Sequence, residues 1–271
     1  MSSFEHKLDG YAVTLLNPGA TRTMLILMGS SGADRAPDPS FTKLCLLAER
    51  RGISAAVVTC DETGWYQGVR AGRLFAQLRA IACSHERVIA IGSGMGAYGA
   101  MALAQEDGVD EVIAFSPVAE LDPRKGPQDW RFDEEFDRLG AFAQIQRHRA
   151  GRYTVFYDPG SAERRHLAAL GLPEGRTERM PMPGTCERSF EMMLASPIWI
   201  RFLKLRLQGR AMPRLAGKLR VMRRESMPYL RALVRRNAQV RPGVAAWADR
   251  QLAERGYRPR IAGRIQHSAR A

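Results

Sequence analysis

Acidic residues all but disappear from the last quarter of the chain: residues 201–271 hold 3 Asp or Glu against 19 Lys or Arg, a net charge of +16. Residues 1–200 hold 25 acidic and 22 basic residues, so the +13 of the whole chain sits on a basic tail behind a near-neutral body. Lysine is also scarce, limited to Lys7, Lys43, Lys125, Lys204 and Lys218. An arginine bias of that kind is what a GC-rich genome produces, but it does not explain the missing acids. Cysteine is confined to Cys45, Cys60, Cys83 and Cys186, far apart and without a Cys-x-x-Cys pair, which argues against a disulfide framework and fits a reduced, cytoplasmic setting. The opening MSSFEHKLDG is charged where an export signal needs an apolar core. Residues 88–105 are uncharged and long enough to raise the question of a membrane span, but Gly92, Gly94, Gly96 and Gly99 interrupt them and they open like a buried strand.

What is present in the body is alternation. Continuous apolar runs at residues 11–16, 23–28, 53–59, 87–91, 111–115 and 153–157 read as strands, with a weaker one at 178–182. Between them, residues 41–51, 69–82, 95–105, 162–170 and 187–195 have helical spacing. Apolar strands separated by amphipathic helices imply an α/β fold, a mainly parallel sheet covered by helices on both faces. We expect this domain over residues 1–208 and a basic helical extension over 209–271.

The stretch IGSGMGAYGA, residues 91–100, supports two parses. A dinucleotide-binding turn follows the first strand and needs an acidic residue at the end of the second; here the turn comes several strands in, and Asp110 and Glu111 fall at the start of the next strand. The other parse is a nucleophile elbow, Gly-x-Ser-x-Gly, with Gly92 and Gly96 as flanks and Gly94 in the nucleophile position. Ser93 cannot serve by a register shift, because its flanks would be Ile91 and Met95. Glycine in that position relieves the backbone strain a serine would bear, so the turn can outlive its chemistry.

The run GSGMGAYGAMALA followed by EVIAFSPVAELDP resembles bacterial proteins of the α/β-hydrolase superfamily that read G-x-S-M-G-(G/A)-Y at the elbow and A-(F/L)-S-P after the next strand. The resemblance covers roughly residues 10 to 205 and implies the chain order nucleophile, acid, histidine. It puts Asp158, in FYDPG, at the acid position, although Asp-Pro-Gly is also ordinary turn chemistry. It puts the histidine position in PGTCE, residues 183–187, where no histidine stands and Cys186 is nearest. Of the oxyanion donors it implies, one is the Met95 N–H and the other belongs to Gly29-Ser30-Ser31-Gly32, with Ser30 the candidate.

The histidines are His6, His85, His148, His166 and His267. His148 and His166 sit among arginines in segments read as helical, so both are expected on the surface rather than as a base within reach of a nucleophile. Trp65, Tyr66 and the insertion at residues 118–150 are placed to roof the elbow, and Phe132, Phe136, Leu139 and Phe142 recur at the spacing of a helix packed on the body.

In the tail, apolar residues at helical spacing alternate with arginine and break at Pro213, Pro228 and Pro242, which predicts two or three short basic amphipathic helices. An anionic membrane surface, nucleic acid and an acidic protein are all partners for such a surface, and so is the body itself. The leading expectation is a hydrolase-fold pseudoenzyme that binds a small molecule, with neither cofactor nor metal. An acyl hydrolase or transferase using another residue, and a dinucleotide-dependent enzyme, remain as alternatives.

Overall fold

The computed structural model describes residues 4–8, 10–29, 38–60, 64–185 and 187–257. Eight strands form one sheet: β1 (Phe4–Leu8), β2 (Tyr11–Leu16), β3 (Thr23–Met28), β4 (Ala55–Cys60), β5 (Arg87–Ser93), β6 (Glu111–Phe115), β7 (Arg152–Tyr157) and β8 (Thr177–Pro181). Their order across the sheet is β1-β2-β4-β3-β5-β6-β7-β8. β1 and β2 pair antiparallel with each other and with β4, and every pairing from β4 to β8 is parallel.

Side chains on these strands alternate between two cores, one on each face. Met24, Ile26 and Met28 of β3 join Val88 and Ala90 of β5 on one face; Leu25, Leu27, Ile89 and Ile91 point to the other. That two-sided burial is why the strands are apolar throughout and legible as runs. α2 (Gly68–Ala82) and α3 (Met95–Leu103) cover the first face. α1 (Pro39–Arg50), α6 (Ser189–Leu194) and α7 (Pro197–Leu207) cover the second. The short helices α4 (Asp133–Leu139) and α5 (Glu163–Ala169) lie in chain order between α3 and α6. Residues 88–105, the longest uncharged run, divide between β5 and α3, and among the described residues no helix is long and apolar enough to cross a membrane.

α8 (Leu215–Glu225), α9 (Met227–Asn237) and α10 (Pro242–Glu254) follow. Leu215 and Leu219 of α8 belong to the second core, whereas Leu230 of α9 with Ala248 and Leu252 of α10 form a small cluster of their own. At the end of the sheet away from the elbow, the fully buried Arg206 of α7 approaches Glu111 Oε1 (3.3 Å) and pairs with Glu178, fastening α7 beneath the strands.

Candidate functional site

The turn after β5 is an elbow in its backbone. Gly94 has φ +53° and ψ −116°, and a Cβ there would meet nothing within 4 Å. Its N–H donates to the Phe115 carbonyl (2.9 Å), and its own carbonyl accepts from the Tyr98 N–H (3.1 Å). Its flanks are glycine for another reason: a Cβ on Gly92 would overlap the Gly96 carbonyl, and one on Gly96 would overlap the Met28 carbonyl of β3. Strand, turn and helix can therefore approach closely only without those side chains. Met95 opens α3 and lines the space above the turn. Ser30 lies outside the described residues; Gly29, just before it, gives its N–H to the Val58 carbonyl (2.9 Å).

Asp158 stands immediately after β7 and is fully buried. Its Oδ1 accepts from the Gly160 N–H (2.8 Å) and its Oδ2 from the Gly184 N–H (2.9 Å). The carboxylate thus reaches the loop where the resemblance puts the histidine, and there it holds the main chain. Gly184 has φ +83°, and a Cβ on it would lie 3.0 Å from the Ala232 Cβ and 3.1 Å from the Tyr229 ring. Both contacts come from α9, so the tail packs directly on the histidine-position loop. Cys186 lies outside the described residues.

Glu163, which the sequence did not single out, is the hub beneath this loop. It is 1% exposed; its Oε2 accepts from the Asp158 N–H (2.7 Å) and its Oε1 from the Glu187 N–H (2.8 Å). Burial, and secondarily the neighbouring Asp158 carboxylate, push its pKa up to about 7. The Ser116 hydroxyl lies 2.9 Å from that of the buried Ser189. Ser116 has φ +47°, an unfavourable conformation for a non-glycine residue, at the end of β6 beside the elbow.

His166 contradicts its expected surface position: it is fully buried. The Ala119 N–H donates to its Nδ1 (3.2 Å), so Nε2 carries the hydrogen donated to Asp129 Oδ2 (2.9 Å). Asp129 also pairs with Arg131, and Arg131 with Glu187. Burial acts to raise the Asp129 carboxyl, but the hydrogen bonds from Arg131 and His166 outweigh it and hold the group well below the usual carboxylate range. The insertion is thereby latched to α5 and to the histidine-position loop. A signal for both missed residues was present, since Glu163, His166, Leu167 and Leu170 have the i, i+3, i+4, i+7 spacing of a buried helical stripe. His148, also read as helical, lies in irregular structure and is half-buried, with its Nε2 2.8 Å from the Leu170 carbonyl.

Between elbow and insertion is a pocket of about 210 Å³ lined by Trp65, Met95, Ser116, Arg131, Phe132 and Glu187, among others. Trp65 is 4% exposed and meets Phe132 and Phe142 edge-on at 5.2 and 5.9 Å. Phe136 and Leu139 pack on the same core, as their spacing predicted. Among the described residues no cluster of His, Cys, Asp and Glu could hold a metal ion.

No protein-family profile matches the chain, and no curated protein does. Solved structures do resemble it. A lipase/esterase from Lactobacillus plantarum superposes with a TM-score of 0.53 at 15% identity, covering 77% of this chain and 99% of its own. Esterase 2 of Thermogutta terrifontis, phosphonylated by sarin, gives 0.52 at 15% identity over 78% of this chain and 97% of its own. A putative α/β hydrolase from Agrobacterium tumefaciens, of unknown function, gives 0.51 at 12% identity over 78% and 99%. With the sheet order and the elbow, these likenesses establish the fold of this chain as that of the α/β hydrolases.

Proposed function

We propose that the protein is a binding member of this fold, a pseudoenzyme that holds a small molecule above the elbow without forming a covalent intermediate on it. The observation that carries this reading is Gly94: the turn keeps the left-handed backbone that presents a nucleophile, yet there is no side chain to present. The surroundings support it. Asp158 is engaged with the Gly160 and Gly184 N–H groups, and α9 packs on Gly184, so the acid position serves the main chain of the loop where a histidine would stand. At about 210 Å³ the pocket is below the ~300–1,000 Å³ of drug-sized sites, which favours a compact ligand. Ser93, Ser116, Arg131, Glu135 and Glu187 are its polar lining residues, and Trp65 and Phe132 line it with aromatic rings.

A second reading has one specific observation behind it. Ser116 lines the pocket in a strained conformation, and near it the buried Glu163 has its pKa raised to about 7, that of a base poised near neutrality. That arrangement, together with the esterases among the similar structures, favours an acyl hydrolase that has moved its nucleophile one strand over. Hydrolysis of short p-nitrophenyl esters separates the two. Binding alone predicts that wild type and Ser116→Ala both run at the background rate. Turnover by wild type that Ser116→Ala abolishes in a folded protein overturns the pseudoenzyme reading.

A further inference from the structure

The tail carries a surface that the elbow pocket does not use. α9 packs on the loop of Gly184, and α10 packs on α9 through the buried Ala248 and Leu252. Beside that inner face, α10 exposes an apolar strip: Val244 is 38% and Trp247 36% exposed, and Val240, in the turn just before the helix, is 77% exposed. Exposed arginines stand three positions from two of them, Arg241 before Val244 and Arg250 after Trp247. Residues 209–257 as a whole hold 12 Lys or Arg and 3 Asp or Glu.

We infer that the α9–α10 hairpin docks on the surface of an anionic lipid bilayer, with Val240, Val244 and Trp247 at the headgroup boundary and the arginines against lipid phosphate. A short helix with a tryptophan-bearing apolar strip and arginine beside it suits this position, because the ring sits at the interface while the guanidinium groups stay hydrated. The charge complements an anionic leaflet. Nucleic acid fits less well. Tyr229 already lies under the Arg223 guanidinium at 5.0 Å and Tyr257 under that of Arg231 at 4.0 Å, so two aromatic faces that could stack bases are covered by cations. A second copy fits less well again, since a two-fold contact through this strip would bring like-charged arginines together.

The test is flotation of the full chain with phosphatidylcholine vesicles, with and without phosphatidylglycerol, beside duplex DNA at equal phosphate. Binding is expected only to the anionic vesicles, weakening as salt rises. Arg241→Gln with Arg250→Gln should reduce it about thirtyfold, taking ~1 kcal/mol per charge near the surface. Val244→Ser with Trp247→Ser should reduce it at least about tenfold through lost apolar burial. All four side chains are exposed, and an unchanged thermal midpoint verifies that the variants are folded. In a Trp130→Phe background the other tryptophans, Trp65 and Trp199, are buried, so quenching by brominated lipid reports Trp247. Absence of vesicle binding, full binding after loss of Val244 and Trp247, or tighter binding to DNA than to anionic vesicles overturns the inference.

Discussion

Three glycines within five residues of the elbow should respond to alanine in two distinct ways. At Gly94 the added Cβ enters open space, so the penalty is backbone strain alone at φ +53°, of order 1–3 kcal/mol. At Gly92 and Gly96 the Cβ would come closer than 3.0 Å to a main-chain carbonyl, one on α3 and the other on β3. Backbone cannot rotate out of the way, so α3 must lift off the sheet. All nine of its residues are buried, and lifting it opens gaps along the first core. Overpacking usually costs about 1–3 kcal/mol, but with rigid atoms on both sides we expect about 4 kcal/mol or more. Against a typical stability of about 5–15 kcal/mol, Gly94→Ala should remain folded while Gly92→Ala and Gly96→Ala approach the limit. Urea unfolding with an unchanged slope measures this directly. A Gly96→Ala protein within about 1 kcal/mol of wild type would refute the close-packing argument, and a Gly94→Ala protein as damaged as Gly96→Ala would refute the open position.

Glu163 has a folded pKa of about 7 against 4.5 for an ordinary glutamate, so the native state holds its proton more tightly and stability should fall as pH rises through that interval. The full shift corresponds to about 3 kcal/mol, and Glu163→Gln should flatten this part of the pH profile in urea titrations; an unchanged slope would count against a buried, proton-holding carboxyl. His166→Leu removes a buried hydrogen bond to an ionised carboxylate and should cost about 1.5–3 kcal/mol. It should also speed amide exchange across residues 118–150 while leaving β3 and β5 protected; uniform change would remove the latch role from the Asp129–His166 pair.

Strands buried on both faces announced themselves. β2, β3 and β6 lie at their expected bounds, because two-sided burial demands continuous apolar residues. β1, FEHKL, was not anticipated: it is an edge strand with exposed polar side chains, and its identity depends on pairing with β2. β8 begins and ends one residue earlier than its expected span, closing at Pro181, which an edge strand tolerates. The elbow was legible because close approach of backbones restricts Gly92 and Gly96 to one residue type. Glu163 and His166 were not, since polar residues on a helical stripe signal burial only once it is known that the insertion and the Gly184 loop close over α5. The tail's contact with Gly184 had no signature in the sequence at all, because it joins segments whose adjacency only the fold creates.

Intact-protein mass after incubation with a fluorophosphonate tests the central claim most directly, since the reagent reports any activated serine whatever its place in the chain. Esterase 2 of Thermogutta terrifontis, which shares the fold, is phosphonylated by sarin. With glycine at position 94 and Asp158 engaged with main-chain N–H groups, this protein should emerge with its mass unchanged. A single stoichiometric adduct on any serine, lost when the protein is denatured first, would contradict it.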